Sequence, residues 1–309
     1  MKYKEWLNIW LKNYVKPTAK MRTYERYSQI VKQHIVCKLG EEELDDITPL
    51  KLQQFVTELM QGGNLLTKKG LAANSVNGII NVLQNSLKLA NMLGETKEYV
   101  GNRIKRPQPK EKSVTCFTLQ EQKKIEQAAL SDKRDKMFGV VLCLYSGLRI
   151  GELLALKWTD VDFTNGTITV NKTCHDGQDK NRKLCRIEDT PKTASSKRTI
   201  PLPKQILQLL KKHKRKSESE YIVASEGKSI YVRSYQRSFD LLLKELKIEH
   251  HGFHSLRHTF ATRALECGMD VKTLSEILGH KNPTITLNRY AHSMMDHKKE
   301  MMNKLGKML

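Results

Sequence analysis

Apolar residues recur every three to four positions through the first hundred residues, a helical period. The pattern predicts helices over residues 3–14, 24–36, 49–60 and 75–92. The third begins after Thr48, a good N-cap, with Pro49 in the first turn, and it stops at Gly62-Gly63. The fourth carries Val76, Ile79, Ile80, Leu83, Leu87 and Ala90, a stripe broad enough to need packing partners. Four such helices make a small bundle.

Between Gly101 and Lys112 the periodicity vanishes in NRIKRPQPKEK, a basic stretch with two prolines that reads as a linker. A capping box, Thr118 with Glu121, then opens a helix running to about residue 130. Another strongly apolar helix, 135–145, ends at Ser146-Gly147. Asn165-Gly166 precedes a strand at 167–170, polar residues 173–182 read as a hairpin tip, and 183–187 and 198–202 read as returning strands. Helices resume over 203–214, 232–246, 255–267 and 271–278, with a short helical stretch after Pro283. The last residues, with Met294, Met295, Met301, Met302, Leu305 and Met308, predict an amphipathic tail helix. The expected organisation is a helical domain at 1–100, a linker at 101–116, a second domain at 117–292 and a tail at 293–309. The expected fold class is mainly α with a small antiparallel β-sheet.

The charge changes the picture. Lys and Arg number 54 against 33 Asp and Glu, a net charge of +21 in 309 residues, while 39% of the residues are hydrophobic. That is enough for real cores, so the excess sits on folded domains and calls for a polyanion, of which nucleic acid is the commonest. Ribosomal or membrane-surface binding fits the charge equally well. Both halves are basic, with 19 cationic against 11 anionic residues up to Ser113 and 35 against 22 beyond it. The start, MKYKEWLNIW, is no signal peptide, and no uncharged apolar run reaches membrane-spanning length. Six scattered cysteines without a CxxC pair imply a reducing, cytoplasmic setting, Cys143 and Cys267 lying in apolar helical contexts. Cys174, His175 and Cys185 lack a fourth ligand at zinc-like spacing, so no metal is expected there.

Five segments carry candidate chemistry: SGLRIGE (146–152), PKTASSKR (191–198), HSLRH (254–258), LGHKN (278–282) and NRYAH (288–292). Each has an ordinary reading. Arg149 can be a surface arginine paired with Glu152, His280 a residue at a helix C-cap, Lys192 a solvated charge, and Tyr290 a half-buried core residue. His254 and Arg257, at i and i+3 near a helix start, share one face and suit an anion. Together, two arginines, two histidines, a lysine and a tyrosine form a set for phosphoryl transfer. The arginines neutralise non-bridging oxygens, the tyrosine hydroxyl attacks phosphorus, and a general acid protonates the departing oxygen. No carboxylate cluster of the kind that holds Mg²⁺ or Zn²⁺ accompanies them, so no cofactor is expected.

The order SGLRIGE, PKT, HSLRH, LGH, NRYAH resembles the tyrosine recombinase (phage integrase) family, and within it the integrases of conjugative transposons and temperate phages. The resemblance covers nearly the whole chain, the first hundred residues being similar to the family's SAM-like core-DNA-binding bundle and the rest to its α+β catalytic domain. It implies that Arg149 and Arg257 clamp the phosphate, with Glu152 in support. Lys192 would be the general acid for the 5′-oxygen, with Lys183 and Lys197 as alternatives because residues 173–189 lengthen the preceding stretch. His254 and His280 would assist proton transfer, and Tyr290 would form a 3′-phosphotyrosyl link without metal or ATP.

The resemblance further implies a site-specific recombinase that integrates or excises a mobile element or prophage, its two basic domains closing on duplex DNA. Arg22, Thr23, Arg26, Tyr27, Ser75, Asn77, Lys105, Arg106, Lys110 and Lys112 are the expected DNA contacts. A homotetramer on synapsed DNA, docked through the tail, and an excisionase-type accessory protein are the further partners it implies, with no membrane. Larger integrases of this type add an N-terminal domain for arm-type sites; a bundle beginning almost at Met1 implies simple core sites or a shortened chain. A resolvase or invertase would share the chemistry. A DNA-binding regulator built on a helix-turn-helix over 255–278, or a metal nuclease, would not need Tyr290.

Overall fold

The computed structural model describes residues 1–109, 114–132, 134–179, 181, 183–190, 197–290, 302–303 and 306, with the backbone alone at 288–290. The chain divides into two compact units, Met1–Lys112 and Ser113–Leu309.

In the first unit the expected helices form. Helix α1 (Tyr3–Trp10) runs on through a π-helical turn, Leu11–Val15, to Thr18, and α2 (Met21–Ile30) continues through a second such turn to Leu39. Helix α3 (Pro49–Gly62) starts where expected, with Thr48 Oγ1 accepting from the Lys51 N–H at 3.3 Å. Helix α4 (Ala73–Met92) is the axis of the bundle, burying Val76, Ile79, Ile80, Leu83, Leu87 and Ala90. Its polar Ser86 is buried too, and it is satisfied: Tyr3 Oη lies 2.6 Å from its hydroxyl and Trp6 Nε1 donates to its carbonyl at 3.0 Å. Buried aromatics are thus tied by their polar tips to the central helix.

The second unit is built on α6 (Phe138–Ser146), which follows α5 (Leu119–Ser131). Residues Phe138 to Leu144 are all buried, as a helix apolar on every side must be. The short helix α7 (Ile150–Ala155) follows at once. Strands β1 (Val161–Asp162), β2 (Thr167–Val170) and β5 (Arg198–Pro201) form an antiparallel sheet in the order β1-β2-β5, with Val170 opposite Arg198.

The intervening residues correct one expectation. Residues 173–178 are not a hairpin tip but strand β3 (Thr173–Gln178), paired with β4 (Leu184–Asp189) as a separate two-stranded ribbon. The sequence TCHDGQ lacks apolar alternation, because this strand is held by side chains at its ends. Asp176 accepts from the N–H groups of Val232 and Arg233, both at 2.8 Å, and Arg186 Nη2 donates to the Leu154 carbonyl at 2.7 Å. The ribbon therefore caps one helix N-terminus and one helix C-terminus at once. A small ribbon of β6 (Ala224–Ser225) and β7 (Lys228–Ser229) was not foreseen either.

Helices α8 (Lys204–Lys216), α9 (Val232–Glu245), α10 (His254–Glu266), α11 (Val271–Leu278) and α12 (Pro283–Tyr290) complete the unit. Cys143 is buried as expected, whereas Cys267, just past the end of α10, is exposed. Among the described residues no helix is long and apolar enough to cross a membrane, and no three His, Cys, Asp or Glu side chains group as a metal would require. The expected tail at 293–309 lies, apart from 302–303 and 306, outside the described residues.

Candidate active site

The site forms where α6 and α11 end. Both helices stop at a glycine in the left-handed region, Gly147 at φ +63° and Gly279 at φ +65°. At α11 the Gly279 N–H bonds Glu276 O and the His280 N–H bonds Ser275 O, both at 3.0 Å, which is a Schellman ending. Such an ending still leaves carbonyls without helical partners. Here arginines take them up. Arg198 Nε donates to Ile277 O at 2.5 Å, Arg257 Nη2 to Leu278 O at 2.6 Å, and Arg149 Nη2 to Gly279 O at 3.3 Å. Arg257 Nη1 also donates to Gly147 O at 2.7 Å, tying the two helix ends together. Cations at helix C-termini are favoured by the dipole as well as by hydrogen bonding.

Arg149 is the N-cap of α7, and its own chain positions it. Its N–H donates to Glu152 Oε2 at 3.0 Å and its Nη1 to Glu152 Oε1 at 2.7 Å. The Arg149 side chain is 37% exposed whereas Glu152 is 4% exposed, so the guanidinium reaches solvent from a buried anchor. Burial alone would push the Glu152 carboxyl up, but the hydrogen bonds and charge of Arg198, with the charge of Arg149, outweigh it and hold the group down to about 2.

Arg257 and His254 lie one turn apart on α10. Arg257 is 2% exposed, and its Nη2 lies 3.0 Å from His280 Nε2. His280 Nδ1 in turn lies 2.7 Å from the hydroxyl of the fully buried Thr286 on α12. His254, the exposed first residue of α10, stands edge-on to His258 with ring centroids 4.7 Å apart.

The structure therefore brings Arg149, Glu152, Arg257 and His280 together at one pair of helix ends. Tyr290 closes α12, the helix that begins three residues after His280 and carries Thr286. Lys192 lies outside the described residues, as do Lys110 and Lys112; Lys183 and Lys197 are exposed. Two members of the cluster escaped sequence reasoning. Arg198 reads in sequence as one more charge in KTASSKR, and Thr286 as an ordinary helical residue.

In the first unit, Arg22 and Arg26 are exposed on α2 with Thr23 half-buried, and Tyr27 stacks on Trp10 at 5.8 Å. Ser75 is exposed in the first turn of α4, and Asn77 Nδ2 donates to Pro107 O at 3.0 Å. Lys105 has an exposed side chain, its N–H donating to Gln53 Oε1 at 2.9 Å, while Arg106 Nη2 donates to Asn81 at 2.7 Å and Gln84 at 2.5 Å.

Comparison with known proteins gives this geometry a context. Residues 115–297 match the phage integrase family, and residues 2–60 match the phage integrase N-terminal SAM-like domain. A XerC-like tyrosine recombinase of Caldanaerobacter subterraneus is 28% identical, across 97% of this chain and 81% of its own length. The ICEBs1 integrase of Bacillus subtilis is 26% identical, across 94% of this chain and 79% of its own. Among solved structures, the Tn1549 transposon integrase in complex with a circular intermediate DNA superposes with a TM-score of 0.79 at 22% identity, covering 99% of both chains. A lambda integrase dimer bound to a core site gives 0.71 at 22% identity, covering 94% of this chain and 95% of that one.

Proposed function

This chain belongs to the phage integrase family and is a tyrosine-type site-specific DNA recombinase, and on that premise we propose that Arg149, Lys192, His254, Arg257, His280 and Tyr290 carry its chemistry, with Glu152 in support. The observation that carries this reading is the convergence of Arg149 and Arg257 on the consecutive carbonyls of Gly279 and Leu278, beside His280. Residues far apart in sequence meet at one point, with the Arg149 guanidinium open to solvent.

A scissile phosphate docks there on the two guanidiniums, whose positive charge offsets the charge that builds on the non-bridging oxygens in the transition state. The Tyr290 oxygen attacks phosphorus as its proton passes to the histidine pair, His254 and His280. The bond from phosphorus to the 5′-oxygen breaks, and Lys192 supplies the proton that leaves a 5′-hydroxyl. The new 3′-phosphotyrosyl ester keeps the energy of the old diester. A 5′-hydroxyl from a second strand reverses the steps, freeing Tyr290 and joining the strands without ATP.

The substrate is double-stranded DNA, contacted by both basic units, with Arg22, Thr23, Arg26, Tyr27, Ser75, Asn77, Lys105 and Arg106 on the first. The relatives include integrases of mobile elements, which supports integration and excision of such an element in the cytoplasm. Lambda integrase has been seen as a tetramer on a Holliday junction. For this chain, a tetramer docked through residues 293–309 and an excisionase-type accessory protein complete the proposal.

The reading is tested by incubating wild-type protein and its Tyr290→Phe and Arg149→Gln variants with supercoiled DNA in EDTA. Wild type is expected to give a protein–DNA adduct on denaturing gels, and both variants to give none. Adduct from Tyr290→Phe would overturn the assignment of the nucleophile, and loss of wild-type adduct on chelation would favour a metal nuclease.

A further inference from the structure

We propose that Arg198 is a positioning residue for strand cleavage: it holds both oxygens of Glu152 and the end of α11, so that Glu152 orients Arg149 without cancelling its charge. The inference rests on the assignment of Arg149, His280 and Tyr290 to the active site.

Glu152 accepts four hydrogen bonds, two from Arg149 and two from Arg198. Arg198 Nη1 donates to Oε1 at 3.1 Å and Nη2 to Oε2 at 2.8 Å, while Arg149 uses its N–H and Nη1. A carboxylate offers about four lone-pair sites, so this one is saturated. Its single negative charge is shared between two guanidiniums. Without Arg198, Glu152 and Arg149 would form a neutral pair facing the phosphate, and the field that attracts the developing oxyanion would fall. Arg198 itself turns Nη1 and Nη2 onto Glu152 and Nε onto Ile277 O, so it acts through Glu152.

The third contact adds registry. Through Nε, Arg198 grips Ile277 O, three residues before His280. One guanidinium thus ties strand β5, the carboxylate that aims Arg149 and the helix end that presents His280. Lysine keeps the charge but cannot direct three bonds from one planar fork.

The test uses a half-site duplex selected from a randomised pool by Tyr290→Phe protein, nicked so that cleavage releases a short fragment and cannot reverse. Single-turnover adduct formation is measured against protein concentration for wild type, Arg198→Gln, Arg198→Lys, Glu152→Gln and the Arg198→Gln/Glu152→Gln pair. Arg198→Gln is expected to lower the maximal rate about 10²-fold with half-saturation unchanged, the scale of a misplaced catalytic group. Arg198→Lys recovers part of the rate. The double variant reacts at least as fast as Arg198→Gln alone, because the charge that Arg198 offsets is gone. Unfolding midpoints check that each variant folds; if Arg198→Gln does not, Arg198→Lys with and without Glu152→Gln makes the same comparison.

A wild-type rate in Arg198→Gln, a loss confined to half-saturation, or a double variant showing the product of the single losses would overturn the positioning role. Wild-type protein that forms no Tyr290-dependent adduct would instead overturn the catalytic assignment, and the positioning role with it.

Discussion

Arg257 Nη2 lies 3.0 Å from His280 Nε2, and that contact fixes which ring nitrogen of His280 carries a proton. A guanidinium can only donate, so Nε2 accepts, and the proton of the neutral ring sits on Nδ1, pointed at Thr286 Oγ1 2.7 Å away. Arg257 therefore selects the tautomer, and Thr286 accepts from the Nδ1–H it leaves. Nitrogen NMR of the histidine rings is expected to show His280 with a protonated Nδ1 and a bare Nε2, and Thr286→Val is expected to slow strand cleavage about tenfold, the worth of one lost hydrogen bond. A protonated Nε2 in the free protein would contradict the arrangement.

The glycines at the two helix ends separate stability from activity. Any side chain at φ +63° or +65° carries a backbone cost of about 1–2 kcal/mol. At Gly147 a methyl group would also lie 2.6 Å from a Phe260 ring carbon, inside a packed core. At Gly279 it would meet Arg198 Nη1 at 3.0 Å, a less severe approach than the 2.6 Å at Gly147. Thermal unfolding should thus rank Gly147→Ala as the more destabilised. Gly279→Ala should lose cleavage rate out of proportion to its stability, because it presses on the arginines.

Glu152 predicts a pH dependence. Its carboxyl is held at about 2, below the ordinary 4.5, because the bonds and charges of Arg198 and Arg149 outweigh its burial. A depressed folded value contributes stability that is present in full above the unfolded value and is lost as pH falls through the folded one. The shift is worth about 3 kcal/mol. The difference in unfolding free energy between wild type and Glu152→Gln should be flat from about pH 8 to about pH 5 and shrink toward about pH 2. A gap that shrinks on the alkaline side would show that the carboxylate is not held by the arginines.

The logarithm of DNA affinity should fall linearly with the logarithm of salt concentration, given a net charge of +21. Substituting Arg22 or Lys105 by Ala should reduce that slope by about one and weaken binding uniformly across sequences, the signature of a phosphate contact. A substitution that leaves the slope intact but changes preference at one base pair would mark a base contact instead.

Much of this was legible in the chain, and the gaps have physical causes. The caps at Thr48 and Thr118 and the glycine ending at Gly279 are local chemistry, and each formed where the sequence places it. Arg149 with Glu152 is an i,i+3 pair and reads from spacing alone. Arg198 does not, because its partner lies 46 residues away and the strand that turns it inward is only four residues long. Strand β3 was hidden for a related reason: TCHDGQ is held by Asp176 at a helix N-terminus and by its partner strand rather than by an apolar face.

The most direct measurement is mass spectrometry of the adduct formed in EDTA on a duplex, after digestion of protein and DNA, with the released strand tested for a free 5′-hydroxyl by enzymatic phosphorylation. The account predicts a nucleotide 3′-phosphate linked to the peptide that contains Tyr290, and a released 5′ end that accepts phosphate at once. A link to any other residue, or a released strand that already bears a 5′-phosphate, would contradict it.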